Sequence, residues 1–203
     1  MEIGGPSFPH STVDEQRLGL APTIWTELEP LYRLKNGFVA FESALYVLPV
    51  TTSGDGPSIA SLIGPETFWA ANYGSAWAST VPFAADVFGD LYALVEHDIV
   101  RFAIESGEQV RVAGSLEEWA EYVLQNYAEA TGWPIAHHWQ IRFGPLALGE
   151  RLLPKIPFVL RGDYAIENLR VGGLFEGLRF GSDLARQIRH LPDGATVKFR
   201  VQE

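Results

Sequence analysis

The most regular patterning of the chain lies between Leu91 and Tyr127. Leu91–Val95 is an apolar run that ends in the polar turn Glu96-His97-Asp98. Beyond it Val100, Phe102 and Ile104 alternate inward with Arg101 and Ala103 outward, the two-residue period of a strand. Glu105-Ser106-Gly107-Glu108 is a hairpin signal, and Val110 and Val112 then alternate around Arg111. Three short antiparallel strands are therefore expected. Ser115 with Glu118 three residues later is a capping box, in which hydroxyl and carboxylate each satisfy an orphaned backbone N–H. Leu116, Trp119, Ala120, Val123 and Tyr127 follow at helical spacing, with Glu117, Glu118 and Glu121 on the opposite face.

The flanks are less regular. Residues 1–20 read as a loose lead-in rich in Gly, Pro and polar side chains. Over 23–35, Ile24, Leu28, Leu31 and Tyr32 stand at helical spacing, and Asn36-Gly37 supplies a left-handed stop. Pro30 implies either a kink or a second short helix starting there. Residues 38–50 are apolar and β-prone, and 51–57 form a polar loop. Ser58 is placed to cap a short helix that Gly64-Pro65 ends, before another turn carrying Phe68, Trp69 and Tyr73. Past Gly132 the chain is richer in Gly, Pro and Arg. Pro154 and Pro157 keep Ile156 extended and lead into an expected strand at Phe158–Leu160. Ser182 is expected to cap a short helix with Leu184, Ala185 and Ile188 inward. Leu191-Pro192-Asp193-Gly194 then turns into a last strand carrying Val197, Phe199 and Val201. The expected fold class is α+β, an antiparallel sheet with helices packed on one side.

Composition and charge narrow the function. The 203 residues are 47% hydrophobic, with 12 Phe, 7 Tyr and 6 Trp, enough for a substantial core. The chain has no cysteine, which excludes disulfides, thiolate catalysis and Cys-ligated zinc. No apolar run reaches the roughly 20 residues of a membrane helix, and residues 1–16 lack the basic and apolar regions of a signal peptide. A cytoplasmic protein is expected. The net charge of −10 divides as −5 over residues 1–80, −8 over 81–130 and +3 over 131–203. An acidic middle disfavours nucleic acid as partner, because phosphate contacts require clustered Lys and Arg. It attracts a basic protein instead.

No catalytic set emerges. His137-His138 are adjacent and diverge in strand or helix, so a hydrogen-bonding histidine is expected there, not a metal site. Asp86 and Asp90 flank Phe88-Gly89, where carboxylates serve turn geometry. There is no Gly-x-Ser-x-Gly elbow, and Gly172-Gly173 and Gly177 are followed by no Gly-Lys-Ser/Thr. Trp69, Trp77, Trp119, Trp133 and Trp139 are expected in the core or at an interface.

The arrangement nevertheless resembles a known family. It comprises Asn36-Gly37-Phe38 after a helical N-terminus, Phe83-Ala-Ala-Asp86-Val-Phe88-Gly89-Asp90, the Glu105–Glu108 turn, and Ser115-Leu116-Glu117-Glu118-Trp119. These resemble the SUKH superfamily of Smi/Knr-type proteins over roughly residues 24–130. Leu152–Phe158 and Glu167-Asn168-Leu169 resemble an extension of some bacterial members. The resemblance implies a lead-in over 1–22, a SUKH-like domain over 23–130 and an α+β C-terminal extension over 131–203 packed on it. It implies no catalytic residue, cofactor or metal, but a protein-binding role. The function expected is that of an immunity protein occluding a toxin of nuclease or deaminase type; a regulatory or scaffolding domain is the alternative. The candidate contacts, chosen for acidity and expected exposure, are Glu96, Asp98, Glu105, Glu108, Glu117, Glu118 and Glu121.

Overall fold

The computed structural model describes residues 22–51, 56–64, 67, 69–192 and 194–195. The lead-in over 1–20, Phe68 and the strand expected around Val197, Phe199 and Val201 lie outside them. Helix α1, Pro22–Leu34, runs continuously through Pro30, whose ring is exposed. It buries Trp25, Leu28 and Tyr32, and the Tyr32 hydroxyl donates to Leu48 O at 2.9 Å. Asn36 ends the helix and turns its Oδ1 inward to accept from Val50 N at 2.8 Å.

Six strands then form an antiparallel meander in sequence order: β1 Phe38–Ala40, β2 Leu45–Val47, β3 Thr80–Asp86, β4 Leu91–Val95, β5 Asp98–Phe102 and β6 Gln109–Ala113. Between β2 and β3 lie α2, Ile59–Ile63, and a 3-10 segment over Ala70–Ala76 kinked at Gly74. Ser58 caps α2 as expected, in a reciprocal pair with Ser61.

The α+β class and the antiparallel sheet are those expected, but the sheet is covered on both faces where one-sided packing was anticipated. In the register, Tyr92 stands opposite Arg101 and Leu91 opposite Phe102, so neighbouring buried residues point to opposite faces. Trp119 of α3, Leu116–Gln125, packs edge-on against Phe83 and Tyr92, with ring centroids 4.9 and 5.6 Å away. On the other face Tyr73 and Trp77 pack edge-on against Phe102 at 4.9 and 5.2 Å. Helix α3 starts where expected: Ser115 Oγ accepts from Glu118 N at 3.2 Å, while Glu118 Oε2 accepts from Gly114 N at 2.8 Å. Ala120 is exposed, and Tyr127 falls beyond the helix, in α4, Tyr127–Thr131.

The C-terminal part departs most from expectation. Trp133–Phe143 is a helix, α5, and Glu150–Pro154 (β7) pairs antiparallel with Leu169–Gly173 (β8). Phe158–Leu160 is a 3-10 turn and not a strand. It closes on Arg161 in the left-handed conformation (φ 68°). Ser182 does not cap a helix. It lies buried inside α6, Leu174–Ile188, which begins after Gly173. A helix here depends on close approach: a Cβ at Gly181 would stand 2.6 Å from Ile104 O, so only glycine lets α6 press onto the sheet end. Leu174, Leu178 and Ala185 join the same apolar cluster as β2–β5, whereas Trp139, Leu152 and Leu169 form a second cluster with Val87 and Phe88.

Trp119→Ala is expected to destabilise the fold by about 3–5 kcal/mol, since it empties the contact of α3 with Phe83 and Tyr92. Ser115→Ala removes one cap and is expected to cost about 1 kcal/mol. Urea titrations of the two variants check the ordering, and equal midpoints would contradict it.

Candidate functional site

The expected acidic contacts fall at the two opposite ends of the sheet. At one end Glu96 occupies the β4–β5 turn, exposed and in a left-handed conformation (φ 56°). His97 beside it meets Glu27 of α1 at 2.6 Å, and this hydrogen bond raises the imidazole above its ordinary value. Asp98 accepts from Arg111 Nε at 2.7 Å across the β5–β6 pair. Arg111 Nη2, Glu118 Oε2 and Asp98 Oδ1 all lie within 4 Å of where a Cβ at Gly114 would stand. Glu117, Glu118 and Glu121 are exposed along α3, which starts there. Six carboxylates, those of Glu27, Glu96, Asp98, Glu117, Glu118 and Glu121, thus gather around α3 and its adjoining turn against Arg111 and His97.

Glu105 and Glu108 lie at the other end, on the β5–β6 turn. Glu108 is exposed. Glu105 is half-buried and its Oε2 accepts from Val159 N at 2.9 Å, holding the 3-10 turn of the C-terminal part against the sheet. Burial pushes its carboxyl up to about 7. It serves the fold and is not part of the acidic end.

A charge network invisible to sequence reasoning occupies the end of β3. Asp86, fully buried, accepts from Phe88 N and Asp90 N at 2.9 and 3.0 Å through Oδ1, the turn role expected of it. Its Oδ2 takes Arg101 Nη2 at 2.7 Å, and Asp90 Oδ2 lies 3.2 Å from the same nitrogen. Arg101 therefore points into the protein, contrary to its expected outward setting, because Asp86 carries a charge that burial would otherwise leave uncompensated. Burial pushes Asp86 up to about 7 against the pull of Arg101, while the two carboxylates hold Arg101 above its ordinary value. Both Asp86 oxygens are engaged, which suits an organising group better than a proton donor. Arg151 of β7, also fully buried, donates from Nη1 to Glu150 O at 2.6 Å and Ser43 O at 3.3 Å, with its guanidinium 5.1 Å from the Tyr46 ring centroid. Burial lowers it to about 10.

The Ser43 carbonyl belongs to a strained stretch of backbone. Phe41, Glu42 and Ser43 are successive left-handed residues (φ 51, 52 and 67°), and none is glycine. Such residues cost about 1–2 kcal/mol each. Beside Arg151, helix α5 holds them: Gln140 donates to Glu42 O at 2.7 Å, and His137 Nδ1 meets Glu42 Oε2 at 2.7 Å. His137 is thus a hydrogen-bonding histidine. No sequence signal marks Phe41-Glu42-Ser43 as such a turn. Trp69, Trp119 and Trp139 are buried as expected, and Trp77 and Trp133 are partly so. Among the described residues, no helix is long and apolar enough to cross a membrane, and no cluster of three or more His, Asp or Glu could hold a metal ion.

No protein-family model matches the chain, and no curated protein does. The crystal structure of Atu4351 from Agrobacterium tumefaciens is similar at 13% identity, with 80% of each chain covered and a TM-score of 0.49.

Two outcomes test the buried groups. Arg101→Met leaves Asp86 unpaired and is expected to cost about 3–5 kcal/mol at pH 8. Part of that loss returns as pH falls toward 5, because the folded state then holds the proton on Asp86 more tightly than the unfolded state does. A pH-independent loss in chemical denaturation would refute the ion-pair role. For Glu105, whose folded value of about 7 exceeds the ordinary 4.5, the folded state binds more protons between those values. Its contribution to stability is therefore full below about pH 4.5 and declines as pH rises to 7. Glu105→Gln is expected to flatten that part of the curve of Tm against pH.

Proposed function

We propose that this chain is a SUKH-type, non-enzymatic protein-binding domain that acts in the cytoplasm as an immunity protein, neutralising a cognate toxin of nuclease or deaminase type by covering it. The observation that supports this most is the sorting of carboxylates. Those of Asp86, Asp90 and Glu105 are turned to backbone N–H groups and Arg101. Glu96, Glu117 and Glu121 stand exposed around one end of the sheet. A toxin that acts on nucleic acid carries a basic cleft for phosphates, and an acidic surface fits that cleft by charge.

Exposed carboxylates of this kind accelerate encounter and are screened by salt, so they raise the association rate more than they slow dissociation. Affinity comes chiefly from buried aromatic and apolar anchors elsewhere in the interface. The alternative, a regulatory or scaffolding domain without a toxin, differs in genomic setting: a large toxin gene beside this one supports immunity, and an isolated gene supports regulation.

Reversal of Glu117, Glu118 and Glu121 to Lys is expected to slow association with the toxin encoded beside this gene by tenfold or more at low salt, with little change at high salt. Surface-plasmon or stopped-flow rates check this. An association rate unchanged at low salt would remove α3 from the steering surface.

A further inference from the structure

Where α3 gives way to α4 and α5, a chain of ring contacts, two stacked and one edge-on, comes to the surface. Phe41 and Tyr127 are parallel within 4° at 5.6 Å between centroids. Tyr127 meets Trp133 at 5.5 Å and Trp133 stacks on His137 at 5.0 Å. Tyr127 is 38% exposed, and the His137 and Glu42 side chains are 37% and 50% exposed. A ring ladder that only sealed the second core would not require a strained backbone. Here the left-handed turn Phe41–Ser43 puts Phe41 onto Tyr127 and Glu42 onto His137, and two further hydrogen bonds to Glu42 O and Ser43 O keep it there. Backbone strain of this kind persists where surrounding structure over-determines it, and it clusters at binding sites.

The result is a preorganised cluster of partly exposed rings with a carboxylate, held on His137, beside them. Its exposed charge is mainly acidic: residues 112–141 contain no Lys or Arg but four Glu, at 117, 118, 121 and 129, all exposed, while Arg151 beneath the turn is fully buried and Arg142 at the end of α5 is paired with Glu167. Nucleobases also stack on rings, but the phosphates they carry are repelled here. A guanidinium meets every requirement, being planar, cationic, able to stack on aromatic faces and able to fork onto a carboxylate. An ammonium offers charge without the plane.

We propose that the ring ladder Phe41–Tyr127–Trp133–His137, with Glu42, is an arginine-binding contact that receives guanidinium side chains of a basic protein partner. This rests on the protein-binding reading above and extends its surface from α3 onto α4 and α5. Arginine is the residue that basic nucleic-acid enzymes use to fork onto phosphates, so the same side chains would be withdrawn from their substrate.

The test is a nuclear magnetic resonance titration of the full chain with a capped hexa-arginine peptide and, separately, a hexa-lysine peptide of equal charge. Hexa-arginine is expected to shift the Tyr127, Trp133 and His137 resonances saturably, and hexa-lysine chiefly those of Glu117, Glu118 and Glu121. Tyr127→Leu and Glu42→Gln are each expected to weaken hexa-arginine binding about fivefold. Equal ring shifts with both peptides, or hexa-arginine shifts confined to α3, overturn the proposal, and this comparison needs no variant to fold. Should charge reversal on α3 abolish toxin binding while hexa-arginine ignores the rings, this contact falls and the protein-binding reading stands. If hexa-arginine engages the rings but the neighbouring toxin does not bind, the arginine contact stands and the immunity reading falls.

Discussion

Every side chain of β3 is buried, and so is every side chain of β4 except Val95. A strand that is apolar on both faces cannot end at one helical layer, so the chain must cover this sheet twice. The rest of the architecture follows from that constraint. One cover is α3, laid down directly after β6 and seated by Trp119 on Phe83 and Tyr92. The other begins before β3, with Tyr73 and Trp77 on Phe102, and is completed by α6 from the far end of the chain. The C-terminal part is thereby tied into the principal core.

Double cover also explains the buried charges. Asp86 organises the β3–β4 turn by accepting two backbone N–H groups, a task a carboxylate does well at a surface. Once both faces are covered, its charge has lost water, and a cation must replace the water. Arg101 stands two strands away on the same face, and its guanidinium reaches both Asp86 and Asp90. A turn residue thus becomes a tertiary link between β3 and β5.

This is where sequence reading succeeds and where it stops. Hairpins β4–β5–β6, the Ser58 and Ser115 caps and the Trp119 face are local signals, and each appears in place. The inward turn of Arg101 is not local, because alternation marks it as facing away from Phe102 without saying what lies there. Helix α5 was hidden because it is apolar around much of its circumference, with Ile141 71% and Phe143 55% exposed, so no polar stripe marks it. The second half of α6, with Leu184, Ala185 and Ile188, is the short helix expected, but its first half was hidden by Gly177 and Gly181, which read as breakers until the contact with Ile104 gives Gly181 a reason. Of the acidic candidates, exposure was legible for Glu96, Glu108 and the α3 glutamates. The use of Glu105 as a clasp for Val159 depends on a loop 54 positions later and leaves no local trace.

The two kinds of carboxylate carry different physical consequences. Those inside are fixed by backbone donors and by Arg101, and changing them alters stability and its pH dependence. Those outside are the ones proposed to meet a partner, although Glu118 also serves the α3 cap and Asp98 is paired with Arg111. Charge alone, however, gives speed and sign without tenacity, since exposed ion pairs contribute about 1 kcal/mol or less. Tenacity requires groups that shed water on contact, and the rings beside the acidic helix are the groups proposed for that role. On that proposal the strain at Phe41–Ser43 has a rationale that packing alone does not supply: the turn fixes a carboxylate against an aromatic surface in the folded chain, so the ordering cost of the proposed contact would be met in folding and not at binding.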